Sequence, residues 1–208
     1  MNYDLIGFAL LYEMNASNIL TMLNLAQIPL RAIDRTDEMP FVLAGGPCVC
    51  NIEPMADFFD FALFGEGEEV IHEVTECMKK WKEEGKPGGR EGFLIRVAQI
   101  PGVYVPSFYE PTYQEDGTLR EMKALRPEAS LPIVKRVVKD LESLTSLTAP
   151  VVPFLVPVHD RINLEIFRGC TRGCRFCQAG IIYRPVRERS PESLVKAAKE
   201  IAKNTGYD

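Results

Sequence analysis

The sequence predicts an α/β protein built in three segments. Over residues 1–84, apolar runs alternate with helix-spaced apolar residues, as in a parallel sheet with covering helices; this reads as a partial doubly wound, Rossmann-like layer. Residues 85–158 read as a connector with some β structure of its own, because they hold 9 of the 15 prolines, too many for regular helices or central strands. From about His159 a strand, a loop with three cysteines and an amphipathic helix follow, a single β–loop–α unit at residues 159–208.

The composition fits a globular protein. Hydrophobic residues make up 46% and charged residues 25%, which argues against disorder, collagen and a coiled coil. The net charge is −5, so the chain as a whole does not attract nucleic acid, although a local basic patch remains open to it. No apolar run approaches the ~18 residues of a transmembrane helix, and the start Met1-Asn2-Tyr3-Asp4 lacks the basic and apolar regions of a secretory signal. Six cysteines without such a signal point to a reducing, cytoplasmic setting, where clustered thiols bind metal or do chemistry.

Tyr3 to Leu11 is a continuous apolar run, expected as a strand buried on both faces. Asn15 or Ser17 can cap a helix that carries Ile19, Met22, Leu23 and Ala26. Phe41 to Ala44 is a second strand, ended by Gly45-Gly46-Pro47, and Phe58 to Phe64 contains a third, ended by Gly65-Glu66-Gly67-Glu68. Val70, Ile71, Val74, Cys77, Met78 and Trp81 then repeat at helical spacing until Gly85 to Gly89 breaks the pattern. Three strands are few for a doubly wound domain, and the chain opens almost directly on a buried strand, so an N-terminal part is expected to be absent.

In the connector, Gly102 to Tyr109 reads as an edge strand or extended loop. Asp116-Gly117 marks a hairpin turn between Tyr113 and Leu119. Ile133 to Val138 reads as another strand, and Ala149 to Val158 as extended chain whose prolines block a helix. In the last segment Ile162 to Phe167 alternates as a strand. Ser190-Pro191-Glu192 is a helix start, with Leu194, Ala197, Ala198, Ile201 and Ala202 on one face.

The cysteine spacing is Cys170-x3-Cys174-x2-Cys177, within RGCTRGCRFCQAG. Three thiolates on one tight loop, with no obvious fourth ligand, leave one position of a metal centre open, which suits catalysis; a structural site is closed. Iron–sulfur cubanes normally take four cysteines, so three leave one iron for a non-protein ligand. Zinc sites usually show paired C-x2-C motifs or Cys with His at set spacing; here there is one C-x2-C, and His159 lies beyond the strand.

The triplet, with Phe176 just before its last cysteine, resembles the signature of the radical S-adenosylmethionine (radical SAM) superfamily. The resemblance implies that Cys170, Cys174 and Cys177 hold a [4Fe–4S] cluster and that Phe176 sits beside the adenine of S-adenosylmethionine. The implied reaction is reductive cleavage to a 5′-deoxyadenosyl radical, with the Ile162–Phe167 strand as the first of a partial TIM barrel. The run FVLAGGPCVCNIEPMADFFDFALFGEGEE resembles the B12-binding-like domain that precedes the radical domain in one branch, with Gly45, Gly46, Gly65 and Gly67 on its turns. IPGVYVPSFY and VHDRINLEIFRGC are similar to an uncharacterised group of that branch.

Departures from that pattern weigh against cobalamin binding by this chain alone. Asp-x-His-x-x-Gly is absent; His72 is placed on the polar side of a helix and His159 in the connector; Ala9 stands near the position of a hydroxyl that would bond the cofactor's tail. Cys48 and Cys50 are readable as a redox or second metal pair or as small loop residues. Glu66 and Glu68 are explained by a helix dipole. Cys48, Cys50 and Cys77 do not supply the three extra cysteines of a methylthio-transferring relative. Arginines 168, 172, 175, 184, 187 and 189 surround the cysteines, so an RNA or protein substrate stays open beside S-adenosylmethionine and an electron donor. The competing reading is a truncated, non-catalytic fragment that only binds a cluster or a partner. One β–loop–α unit is far short of a barrel, which takes ~250 residues when it has eight.

Overall fold

The computed structural model describes residues 3–144, 147–156 and 158–207. They cluster into two compact units, one up to Val137 and one from Val138. The first is mixed α/β. Strands β1 (Leu5–Ala9), β2 (Phe41–Gly45) and β3 (Phe61–Leu63) lie in chain order, all parallel, and β4 (Val103–Tyr104) joins β3 antiparallel. Leu5 pairs with Phe41 and Leu43 with Phe61. Central β2 is buried from Phe41 to Ala44, and all of β3 is buried. Among the described residues β1 pairs only with β2, and it is partly buried with Gly7 and Ala9 exposed, so the expectation of burial on both faces is corrected by its place at the sheet edge.

Helices cover the sheet through the residues their spacing singles out. Helix α1 (Ala16–Leu25) buries Ile19 and Leu23 and leaves Met22 exposed. Asn15 takes its N-cap position without a side-chain capping bond. Helix α2 (Gly67–Glu83) buries Val70, Val74, Met78 and Trp81, with Glu68 and Glu69 in its first turn and Lys80 and Lys82 in its last, each favourable to the helix dipole. Helix α3 (Gly89–Val97) lies where the sequence reads as connector; it buries Phe93 and Val97, and the Phe93 ring lies 4.5 Å from Phe41 and 5.5 Å from Trp81. The anticipated hairpin is present as β5 (Tyr109–Tyr113) and β6 (Leu119–Ala124) around Asp116-Gly117. The Ile133–Val138 stretch is not a strand; it makes one isolated bridge, Arg136 to Gly65.

A buried ionic group ties these elements together. Asp60 Oδ2 accepts from Arg35 Nη1 at 2.8 Å and from the Val42 N–H at 2.7 Å, while Oδ1 accepts from Arg90 Nη2 at 2.7 Å. Arg35 spends its remaining donors on the carbonyls of Pro29, Leu30 and Phe58, and Arg90 reaches those of Thr36 and Met39. The Arg90 guanidinium also lies 4.1 Å over the Phe41 ring. Burial lowers the Arg35 pKa, and Asp60 opposes that shift.

The second unit is smaller. Strands β7 (Phe167–Arg168) and β8 (Arg187–Glu188) pair antiparallel, with the short helix α4 (Ala179–Ile182) between them, and α5 (Pro191–Thr205) follows. Ala197 and Ile201 of α5 are buried, as the helical face requires, and Gly206 ends it. The Ile162–Phe167 strand shrinks to its last residue, because β8 offers only two residues to pair with. Residues 149–156 contain no helix or strand, as their prolines require, but the chain bends at Ala149, Phe154 and Leu155 and turns at Val158, so it is not extended throughout; Pro157 of that stretch lies outside the described residues. No helix among the described residues is long and apolar enough to cross a membrane.

Candidate functional site

The cysteine loop sits between two antiparallel strands, not directly between a strand and the helix α5. β7 leads in, β8 leads out, and Phe167 pairs with Glu188 and Arg168 with Arg187. The neck is closed by Gly169, whose φ is +90°; a Cβ there would lie 2.7 Å from the carbonyl oxygens of Tyr183 and Pro185. No side chain fits so close a crossing of two backbones. Inside the loop Cys177 N–H donates to the Cys174 carbonyl at 3.1 Å, and Arg172 N–H points at Cys170 Sγ at 3.5 Å.

Arginines hold this neck. Arg168 grips Glu165 through Nε at 2.7 Å and Nη2 at 3.1 Å, and Arg189 Nη2 reaches the same carboxylate at 3.5 Å. The hydrogen bond from Arg168 holds the Glu165 carboxyl below the usual range. Arg189 also donates to the Leu141 carbonyl, and Arg187 to those of Pro185 and Val138. Glu165 is absent from the residues singled out by the sequence; its signal was an acid three positions before Arg168. The side chains of Arg172 and Arg175 make no hydrogen bond or ion pair among the described residues, and both are exposed.

The three thiols are free. Cys170 is half-buried, Cys174 and Cys177 are exposed, and Phe176 is 92% exposed. Among the described residues no three His, Cys, Asp or Glu side chains stand close enough together to hold a metal ion. The loop therefore carries its three thiols unconverged. Their chemistry suits iron and sulfide: three thiols within eight residues, none in a disulfide, none buried beyond reach.

The other residues singled out by the sequence lie apart from this loop. Cys48 and Cys50 sit in the one-turn helix Pro47–Asn51 after β2, and Cys77 is half-buried on α2. Burial pushes the Cys48 and Cys77 thiols up. His72 and His159 are exposed, and His159 Nδ1 lies 3.2 Å from Arg161 Nη2. Glu66 and Glu68 flank the start of α2, and Ala9 ends β1 exposed.

Comparison with known proteins covers both units. The family model described as "Radical SAM proteins, N-terminal" matches residues 1–106, and that of the "Radical SAM superfamily" matches residues 164–208. A relative described as an uncharacterised protein, from Methanocaldococcus jannaschii, is 28% identical over 208 residues, an alignment that covers 96% of this chain and 35% of the relative. The chain thus spans about a third of that protein's length. No solved structure matches.

Proposed function

The chain belongs to the radical SAM proteins, and from that premise we propose that Cys170, Cys174 and Cys177 ligate a [4Fe–4S] cluster that serves the reductive cleavage of S-adenosylmethionine. The observation that carries this reading is the set of three thiols within one eight-residue loop, none in a disulfide and two of them exposed. When bound, the cluster supplies one electron to the sulfonium of S-adenosylmethionine, yielding methionine and a 5′-deoxyadenosyl radical.

The chain's own residues prepare the place. Gly169 pinches the neck, the Glu165 carboxylate fastens Arg168 and Arg189, and the thiols hang on a loop whose ends are therefore fixed. The Arg172 N–H aimed at Cys170 Sγ is the type of donor that tunes a cluster's sulfur ligands. Phe176, next to the last ligand, is assigned to the adenine, for which an exposed aromatic face on the same loop is suited. An electron donor is implied.

Anaerobic reconstitution with iron and sulfide tests the reading. The expected product absorbs broadly near ~400 nm, as thiolate-bound clusters do, and loses that band in Cys174→Ala. Addition of S-adenosylmethionine and dithionite is expected to release 5′-deoxyadenosine from the active protein. Cluster without release would favour the alternative, a cluster-binding module without turnover. A colourless, stoichiometric zinc site in anaerobically purified protein would sink the cluster assignment.

A further inference from the structure

At the carboxyl end of β3 the chain closes on itself. Arg136 donates its backbone N–H to the Phe64 carbonyl at 2.7 Å, and its own carbonyl accepts the Glu66 N–H at 3.0 Å. Two glycines make room for the Arg136 backbone and the stem of its side chain. A Cβ on Gly65, whose φ is +97°, would lie 2.1 Å from the Arg136 carbonyl oxygen, and a Cβ on Gly102, at φ +87°, would lie 2.7 Å from Arg136 Cγ. The Arg136 guanidinium reaches Glu73 at 2.6 Å and Glu69 at 3.1 Å, both on the opening turns of α2, and Ile133 packs against the core.

We propose that residues 133–137 form a latch, and that the Gly65-Glu66-Gly67 turn exists to hold this strap instead of a small molecule. In open α/β sheets, ligands bind beyond the carboxyl ends of the strands, and helix N-termini there present free N–H groups to anions. Here the Glu66 amide, at the N-cap of α2, is taken by the Arg136 carbonyl. The same latch ends the first unit, since Val138 opens the second. Its ionic half is open to salt: the side chains of Arg136, Glu69 and Glu73 are 20%, 56% and 41% exposed. The inference is independent of what the cysteines bind.

Trypsin reads the latch directly, because Lys135 and Arg136 are cleavage sites inside the strap. Cleavage after either residue is expected to lag well behind cleavage after exposed Arg161 in the wild-type chain, as followed by intact mass. Gly65→Ala is expected to speed the strap cuts at least about tenfold, since proteolysis follows the population of the open form. That variant also endangers the sheet, so the surface pair Glu69→Gln with Glu73→Gln is the second probe. It should speed the same cuts several-fold at low salt and abolish any further acceleration by ~1 M salt, which the wild type should retain. Strap cuts as fast as the Arg161 cut in the wild type, or a double-Gln variant indistinguishable from it, would overturn the latch.

Discussion

Asp60 and Arg35 meet at 2.8 Å with side chains 3% and 0% exposed, 25 residues apart in sequence, where β3 begins beside Val42 of β2. Arg90 completes the group from the far side of the same carboxylate. One carboxylate thus joins the loop before β2, the start of β3 and the first turn of α3. Each partner is also bonded to backbone, so carbonyls share the donors of the two guanidiniums that the single carboxylate does not take.

Removing one member leaves the others buried and unmatched. Asp60→Ala is expected to destabilise the first unit by about 3–5 kcal/mol, the range for breaking a buried ion pair from one side. Urea unfolding followed by far-UV circular dichroism measures it. A loss below about 1 kcal/mol would show that water replaces the carboxylate without cost.

Alkaline pH should probe the aromatic pair above the sheet. Tyr104 is buried, donates to Glu53 and stacks at 4.6 Å on Tyr109. Burial, then the hydrogen bond to Glu53, raises the Tyr104 pKa, and burial raises that of Tyr109. Both phenols stay neutral in the fold while the unfolded chain ionises near pH 10. Stability is therefore full below pH 10 and falls as pH rises above it, by up to ~1.4 kcal/mol per pH unit for each group. Tyr104→Phe should flatten that fall; an unchanged slope would contradict the assignment.

The thiols should separate by reactivity. Cys50, Cys174 and Cys177 are exposed, whereas Cys48 and Cys77 are half-buried with thiols pushed up by burial. Labelling with a coloured disulfide near neutral pH, read by peptide mass, is expected to modify the first three before Cys77. Cys77 among the fastest would mean that α2 opens readily.

Ser190 caps α5 by accepting the Ser193 N–H at 3.2 Å, while the Glu142 carboxylate takes the Ser190 N–H. Ser190→Ala is expected to cost about 1 kcal/mol. The Ser190 N–H, and then the Ser193 hydroxyl, hold the Glu142 carboxyl below its usual range, so the contribution of these two bonds is present at neutral pH and disappears as pH falls through the lowered value. A thermal midpoint unmoved by Ser190→Ala would assign the start signal to Pro191 alone.

Titration with hydroxocobalamin is expected to give no base-off, His-on spectrum, because Asp-x-His-x-x-Gly is missing and both histidines are exposed. Binding at micromolar concentration that disappears in His72→Ala or His159→Ala would identify a lower ligand at an unexpected place.

Sequence patterns were legible where one short stretch carries the whole cause. Val70, Val74, Met78 and Trp81 mark α2, Ser190-Pro191 opens α5, and Asp116-Gly117 turns the hairpin; all three arise within a few residues of their signals. Helix α3 was hidden because Pro87 and its flanking glycines mask its start and only Phe93 and Val97 are buried along it. The three-residue group around Asp60 left no local trace, since its partners lie 25 and 30 residues away. In the cysteine loop, the spacing of the thiols is plain from the sequence, but the neck is not. The crossing of Gly169 over Tyr183 and Pro185 depends on an antiparallel return that the Arg187-Glu188 dipeptide does not announce.

The hairpin β5–β6 offers a handle for engineering. β6 is exposed along nearly its whole length, and Asp116 and Gly117 at the tip are exposed, with the local bonds of the turn confined to Gln114, Asp116, Gly117 and Thr118. A peptide spliced between Glu115 and Asp116 would lengthen a surface loop, at an entropic cost of only ~0.6 kcal/mol per doubling. Such an epitope or fluorophore site changes no residue of β1 to β4, so a reporter can be carried by the first unit without altering its sheet.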